Sequence, residues 1–553
     1  MVSYFGWDGK GNNSISYHKS GGRIYITGSV DGPYLQPTDN ALQATYSGMA
    51  DGYIAVLTPP PYQIEYLSYF GASGKDYFRA LWDNDTIYIF GTTNSRDLPI
   101  SSNAFQQYYG GGAYDCFIAK IDMAANRIMY CTYIGGSLHD GLTAAYLEKS
   151  TNTIIFTGIT QSSNFPVTSN APQKRNEGGD DDSFVAKLSS DGTQLHYSTY
   201  IGGNGFDESL GLDVDSLGQA YICGYTTSTD FPIRSGAVQK TLGSQWGNCF
   251  ITKLSADGSA FLESTYLGGW DGDRADDIIL DGKGGLYITG RAGLGFPVTE
   301  GAFQTESFTP TWDGYIAKLS TDLSSLLYST YIGGESTTNF SSMTKDERGN
   351  VYVIGGSASP DFPVPDHSVY KPRGGYQFDI AFAVLDSTLS RMLYGGVIGG
   401  SEWDTGGDIL VDDHYNMYLS GSTYSRDLPT TFGAYQAEFG GGEYDGVLIV
   451  IPPSESLVNT AHVPQAEHFS LSQSYPNPAY QHSLVTIPFT SPKAGLVELT
   501  VYDSRGAVIH QEKGQFTSGK SDFQFSTRDL RGVYFYRVVA HGLAYTKKMI
   551  IMG

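Results

Sequence analysis

Short runs of alternating apolar and polar residues, rich in Val, Ile, Tyr and Thr and bounded by Gly, Asp, Asn or Ser clusters, fill the first 451 residues. A period of two with such boundaries predicts β-strands joined by turns. The runs also repeat. The pentamer IYITG ends at Gly28 and returns as IYIFG at Gly91, IIFTG at Gly158, AYICG at Gly224, LYITG at Gly290, VYVIG at Gly355 and MYLSG at Gly421. A second column, SYFG or TYIGG, places glycines at Gly6, Gly71, Gly135, Gly202, Gly268, Gly333 and Gly399. A third, of the DGYIAVL kind, starts at Asp51, Asp115, Asp182, Asn248, Asp313, Asp379 and Asp445. Each unit of roughly 66 residues holds four strands, a to d. In the fourth unit they are Leu210 to Val214, Ala220 to Tyr225, Cys249 to Leu254 and Leu262 to Leu267.

Four strands per unit and seven units predict an all-β fold, a seven-bladed β-propeller with four-stranded blades, which protects sheet edges by radial repetition. The chain ends refine this. Val2 to Phe5 reads as a d strand with no c strand before it, and the seventh unit stops after strand c, Asp445 to Ile451. Pairing the two predicts a ring closed by the N-terminal strand. At YSTYIGG (Tyr197 to Gly203), TSTDFP (Thr227 to Pro232), AFQ (Ala104 to Gln106) and DGYIAKL (Asp313 to Leu319), residues 1–451 resemble the SBBP repeats of seven-bladed propellers. That resemblance implies a fold and little chemistry.

Residues 452–466 have the Pro, Ser and polar content of a linker. Residues 467–553 then carry short strand-like runs that predict a small immunoglobulin-like β-sandwich. Within them SQSYPNPA, VELTVYDSRGAVI, GVYFYRV and the terminal KKMIIMG resemble, in order, the motifs of the type A sorting domain of the type IX secretion system. The resemblance implies the type IX machinery as a partner, a secreted or outer-cell-surface address, and a sorting signal around Lys547, Lys548 and Met549. No charged n-region followed by an apolar h-region precedes the first strand, so the natural start and its signal peptide are expected upstream. No run of about 18 apolar residues is present, so no membrane-spanning helix is expected.

Charge and cysteines narrow the reading further. A formal charge of -23 argues against nucleic acid as a partner, because phosphate-binding surfaces need Lys and Arg. Of the four cysteines, Cys116 and Cys249 share a column at the start of strand c. Folding the hairpin about Ala124 sets Cys131 beside Cys116, and Cys223 lies on strand b next to Cys249. Two disulfides within blades would suit an exported chain; four buried free thiols are the alternative.

The b-to-c connections are long, as from Thr92 to Tyr114, and share a face with the d-to-a loops. Functional variation is expected there. Five of the six tryptophans fall in those loops: Trp7, Trp270 and Trp403 after strand d, Trp246 and Trp312 before strand c. Exposed, they would form platforms for sugar rings; buried, they would wedge between blades. An aspartate column on the same face comprises Asp76, Asp140, Asp207, Asp273 and Asp404, with Gly11 and Thr338 as exceptions. Its functional reading is Ca²⁺ held by Asp271, Asp273, Asp276 and Asp277; its structural reading is turn aspartates bonding their own loops. No other cofactor is expected. GxSxG, HExxH and Gly-rich phosphate motifs are missing, and His139, His367 and His414 stand isolated. The preferred function is an exported, non-catalytic propeller presenting a top-face surface to a glycan or surface protein. A polysaccharide-active hydrolase or lyase using acidic residues at the channel mouth, and a structural adhesion module, are the alternatives.

Overall fold

The computed structural model describes residues 1–5, 14–17, 22–58, 62–366, 368, 377–431, 434–453, 470–471, 474, 476–491, 495–516, 519–540 and 543–552. Among them every regular element is a strand, and no helix is long and apolar enough to cross a membrane. The chain divides into two units, Met1–Val458 and Asn459–Gly553.

In the first unit, β1 (Val2–Phe5) stands apart from its sequence neighbours. Sheet 1 holds β2 to β5 (Ser14–Tyr17, Ile24–Val30, Asp51–Leu57, Ile64–Phe70). Sheet 2 holds β6 to β9 (Asp76–Asp83, Thr86–Thr93, Asp115–Asp122, Arg127–Ile134), and sheet 3 holds β10 to β13 (Asp140–Glu148, Thr153–Thr160, Asp182–Leu188, Leu195–Ile201). Sheet 4 follows as β14 to β17 (Asp207–Val214, Ala220–Thr226, Asn248–Leu254, Phe261–Leu267), then sheet 5 as β18 to β21 (Arg274–Leu280, Gly285–Ala292, Asp313–Ser320, Leu326–Ile332). Sheet 6 is β22 to β25 (Thr338–Lys345, Val351–Ser357, Asp379–Leu385, Met392–Ile398). The last, sheet 7, joins β26 to β28 (Asp404–Val411, Met417–Thr423, Asp445–Ile451) to β1, with Val2 opposite Ile449 and Phe5 opposite Gly446. All seven are antiparallel, as a β-propeller requires. First strands of successive sheets pack side by side from β2 to β26, and β26 packs against β2.

Apolar strand faces from neighbouring sheets meet in shared cores. Tyr88, Phe90 and Ile118 of sheet 2, for example, pack with Phe156, Phe184 and Tyr200 of sheet 3. The strand-d tyrosines serve a second purpose, because a buried phenol needs a partner. Tyr133, Tyr200, Tyr266 and Tyr331 donate to the carbonyls of Ser95, Ser162, Ser228 and Gly293 at 2.7–2.8 Å. The amides of Leu98, Phe165 and Phe296, each just before a loop proline, donate back to Tyr133, Tyr200 and Tyr331. Tyr4 of β1 repeats the pattern in sheet 7, donating to Ser425 and accepting from Leu428.

Disulfide pairing does not follow from this register. Cys116 lies opposite Ile134 and Cys131 opposite Ala119, since the β8–β9 turn sits beyond Ala124. The two side chains also face different cores, Cys116 toward sheet 3 and Cys131 toward sheet 1. Cys223 lies opposite Ile251 and Cys249 opposite Tyr225, a diagonal offset of roughly 7–8 Å that exceeds usual disulfide spacing. All four cysteines are free and buried.

The second unit contains β29 (Ser470–Leu471), β30 (Ala479–Tyr480), β31 (Leu484–Ser491), β32 (Gly495–Asp503), β33 (Val508–Phe516), β34 (Gly519–Ser526), β35 (Gly532–Ala540) and β36 (Leu543–Met552). They form a three-stranded sheet, β29-β31-β34, and a five-stranded sheet, β30-β36-β35-β32-β33. Val485 and Ile487 of the first share one core with Val497, Val501 and Tyr536 of the second. On β36, Met549 belongs to that core, Lys547 is half-buried and Lys548 is exposed.

Candidate functional site

The b-to-c and d-to-a loops meet on one face. The backbone N–H of Asp140 donates to Tyr114, that of Asp207 to Asp181, that of Thr338 to Trp312 and that of Asp404 to Phe378. The aspartate column organises these loops. Asp76 accepts from the Ala72 amide and from the Ser95 and Thr93 hydroxyls; Asp140 accepts from Gly136 and Ser162, Asp207 from Gly203 and Ser228, and Asp404 from Gly400 and Ser425. Each carboxylate thus ties the turn after strand d to the loop after the next strand b. The turn reading of this column is the one its hydrogen bonds support.

A second carboxylate faces the first. A Cβ built on Gly135 would stand 2.8 Å from Asp115 Oδ1 and 3.0 Å from Asp140 Oδ2; on Gly202 it would stand 2.7 Å from Asp182 Oδ1 and 2.9 Å from Asp207 Oδ2. Gly71 sits in the same way between Asp51 and Asp76. Glycine is needed at this strand end because the acids occupy the space a side chain would take. Burial, with the facing carboxylate adding to it, pushes Asp51, Asp115 and Asp182 up to about 7. In sheet 4 the partner is Asn248, whose Nδ2 donates to Asp273 Oδ2 at 2.8 Å. The amide stands where a protonated acid would.

The acidic run Asp271 to Asp277 is pulled apart rather than gathered round a cation. Asp273 is consumed by the Gly269 and Gly293 amides and by Asn248. Asp276 pairs with Arg274, Asp271 caps the Gly272 amide, and Asp277 turns away to accept from Met343 of sheet 6 and from Ile278. The physical cause is a bulge between Ala275 and Asp277, which sends adjacent carboxylates in different directions. No group of three or more potential metal ligands comes together among the described residues.

Symmetry breaks at the axis. An axial cavity of about 520 Å³ is lined by one or more residues of every sheet, among them Gly28, Arg79, Thr143, Leu210, Arg274, Ser341 and Thr405. At its mouth, between sheets 4 and 5, Arg274 Nε donates to Asp276 Oδ1 at 2.8 Å and Nη1 lies 3.3 Å from Glu208 Oε2. Those two acids outweigh the effect of burial and raise the Arg274 pKa, while burial pushes the Asp276 carboxyl up to about 6. Arg291 lies opposite Arg274 in the strand register, and its guanidinium sits 4.6 Å from the centre of the Trp312 ring. Tyr225, opposite Glu208, donates its hydroxyl to the Trp246 carbonyl and packs 6.0 Å from Phe206. Equivalent cross-strand pairs elsewhere are Tyr77 with Thr92, Asn339 with Gly356, and Thr405 with Ser422. An opposite-face cavity of about 490 Å³ beside Trp82 and Tyr146 contains Glu148 and Lys149, whose charges meet Lys187 at 2.9 Å and Asp83 at 3.5 Å.

The tryptophans on the loop face are not alike. Trp246 and Trp312 border the Arg274–Arg291 cluster, with exposures of 64% and 36%. Trp270, 71% exposed, lies over Gly295, where a Cβ would come within 2.6 Å of its ring. Trp403 stacks 5.0 Å from Phe378 and keeps 53% of its surface open. Trp7 and His367 lie outside the described residues. Trp82 is buried against Tyr25, 4.1 Å between ring centres. Glu208, Tyr225, Arg274 and Arg291 were missing from the sequence reading. Their signal was a pair of arginines at columns that hold no arginine in the other units.

Residues 473–552 match the family described as a secretion system C-terminal sorting domain, and residues 196–232 match the β-propeller repeat family SBBP. The chain combines a β-propeller repeat with a secretion sorting domain. A type IX sorting tail implies interaction with the secretion machinery and a secreted or cell-surface protein. No curated protein matches the chain. Among solved structures, a fungal alcohol oxidase of the AA5 family in complex with copper is 9% identical, with 100% of this chain and 99% of that one covered at TM-score 0.40. The Pyrococcus horikoshii acylaminoacyl peptidase is 9% identical, covering 88% of this chain and 59% of its own, at TM-score 0.36. The polysaccharide lyase Uly1 is 8% identical over 81% of this chain and 89% of its own, at TM-score 0.32.

Proposed function

We propose that this sorted β-propeller protein is a seven-bladed, non-catalytic binding module, closed by its N-terminal strand, that takes a glycan at the channel mouth between sheets 4 and 5. The observation that carries the reading is the local break in symmetry: Arg291 over Trp312, Tyr225 tied to Trp246, and Arg274 clamped by Glu208 and Asp276. Aromatic faces suit the apolar faces of sugar rings, and fixed ionic groups beside them supply hydrogen bonds to hydroxyls. Seven four-stranded sheets and the pairing of β1 with β28 support the closed ring. Glycan-array binding of the full chain tests the function. Trp246→Ala with Trp312→Ala is expected to abolish binding, whereas Trp82, on the opposite side of the sheet stack, is irrelevant to it. Binding that survives the double substitution contradicts the site.

A second reading has one observation in its favour. Asp276, whose carboxyl burial pushes up to about 6, and Glu208 flank one guanidinium, and a pair of carboxyls is what a glycoside hydrolase employs. Turnover in a broad polysaccharide screen, lost on Asp276→Asn, would favour that enzyme. Binding without turnover favours the module.

A further inference from the structure

We infer that a cavity of about 330 Å³ between the loops of sheets 5 and 6 is a second glycan subsite, with Phe308 as its platform. The ligand is then an extended, uncharged chain that reaches from the channel mouth past Trp312 to Phe308. This rests on the channel mouth being the glycan site. The cavity's apolar lining includes Phe303, Phe308 and Pro363, and its polar lining includes Gln304, Glu306 and Asp361. Phe308 marks a break in the repeat. Its amide donates to Asp313, the first residue of β20, as the amides of Ser47, Gly110, Glu177, Gly243 and Gly440 donate to Asp51, Asp115, Asp182, Asn248 and Asp445. Those bonds make the six positions equivalent, and of the six only Phe308 carries an aromatic ring. The ring is not part of a core: Phe308 is 62% exposed, as open as Trp246 at 64%.

A solvent-facing phenylalanine gains little for the fold by burial, whereas it offers a flat apolar face to a sugar ring. Its loop is already pinned. The Trp312 carbonyl accepts from the Thr338 amide, the Thr311 and Thr337 hydroxyls share a hydrogen bond at 2.7 Å, and those of Thr309 and Thr311 share another at 2.8 Å. Such a loop presents both rings with little ordering on binding. Phe308 and Trp312 are four residues apart, a span of at most about 14 Å, so one oligosaccharide can touch both. The volume is near the small end of the range for ligand pockets, which begins at about 300 Å³, so the cavity holds part of a chain rather than a whole one. Charge selects which chain. The carboxylates of Glu306 and Asp361 accept hydrogen bonds from hydroxyls and repel carboxylates and sulfates, and neither Lys nor Arg is among the residues lining the cavity. Asp361 is held in place by the Glu335 amide, which donates to Oδ1 at 2.9 Å.

Isothermal titration of the full chain tests it, with the disaccharides and hexasaccharides of cellulose, laminarin, xylan and mannan as neutral probes and hexagalacturonate as the anionic one. A neutral hexasaccharide is expected to bind about five- to tenfold tighter than its own disaccharide, the effect of one further stacked ring. Phe308→Ala is expected to bring that hexasaccharide down to the disaccharide's affinity, and Phe308→Tyr, which keeps the ring, to retain the advantage. Equal affinities for the two lengths, or a length advantage that survives Phe308→Ala, overturn the second subsite while the channel-mouth site stands. Hexagalacturonate binding as tightly as the best neutral hexasaccharide overturns the uncharged chain. Failure of every saccharide to bind removes the glycan reading and this inference together. Thermal melting of both variants verifies that the fold is intact.

Discussion

Two acids held across a strand-end glycine make protonation part of folding. Burial, with Asp140 facing it, pushes the Asp115 carboxyl from its ordinary 3.8 up to about 7 in the folded chain. Because the folded state binds the extra proton between those values, stability is full at low pH and is lost as pH rises through about 7. Asp51 and Asp182 act in the same direction. Urea midpoints are therefore expected to be higher at pH 5.5 than at pH 8. Asp115→Asn, which copies the Asn248 amide, should flatten part of that slope; an unchanged slope would mean that Asp115 takes up no extra proton on folding. The cysteines belong to this scale too. Burial pushes the Cys116, Cys223 and Cys249 thiols well up, so alkylation without reductant should label all four cysteines after denaturation and essentially none before. Fewer than four labelled thiols in the denatured chain would mean a disulfide.

Strands were legible in the sequence because each occupies a column repeated through the units, and seven noisy copies of one pattern reinforce each other. Turns and bulges were not. The disulfide expectation failed because placing a hairpin turn a residue or two early moves a side chain to the other face of the sheet. The carboxylates of the Asp271–Asp277 run diverge at the first-strand bulge, which also occurs between Leu142 and Ala144, Ser209 and Gly211, and Gly406 and Asp408. That bulge has a structural use. It turns Asp213 to accept from the Leu280 amide of sheet 5, and Asp277 to accept from the Met343 amide of sheet 6, both at 2.7–2.8 Å. These carboxylates clamp one sheet to the next. Asp277→Ala leaves the Met343 and Ile278 amides without their acceptor, so a loss of about 2–4 kcal/mol in urea unfolding is expected. A loss below about 0.5 kcal/mol would mean that the clamp carries no stability.

At the scale of the whole molecule, a ring of sheets has no free edge only if its ends meet. β1 completes sheet 7 through backbone pairing with β28, and Tyr4 carries the same buried hydroxyl bonds as its counterparts in other sheets. Deleting residues 1–5 exposes the edge of β28 and removes Val2, Tyr4 and Phe5 from their cores. The midpoint of thermal unfolding is expected to fall by well over 5 °C, with new aggregation. A truncated chain as stable as the full one would argue against closure.

The near-repetition of the sheets also explains why the proposed binding site was hard to see beforehand. Repetition draws attention to what every unit shares, the aspartates and tryptophans of the loop face, whereas the channel mouth is distinguished by Arg274 and Arg291, which their own columns lack elsewhere. Hydrogen–deuterium exchange of the full chain, with and without its best-binding saccharide, tests that assignment most directly. Protection is expected in the loops carrying Trp246 and Trp312 and at the start of β18 around Arg274. Protection confined to the opposite face, around Trp82 and Tyr146, or spread evenly over all seven sheets, would contradict it.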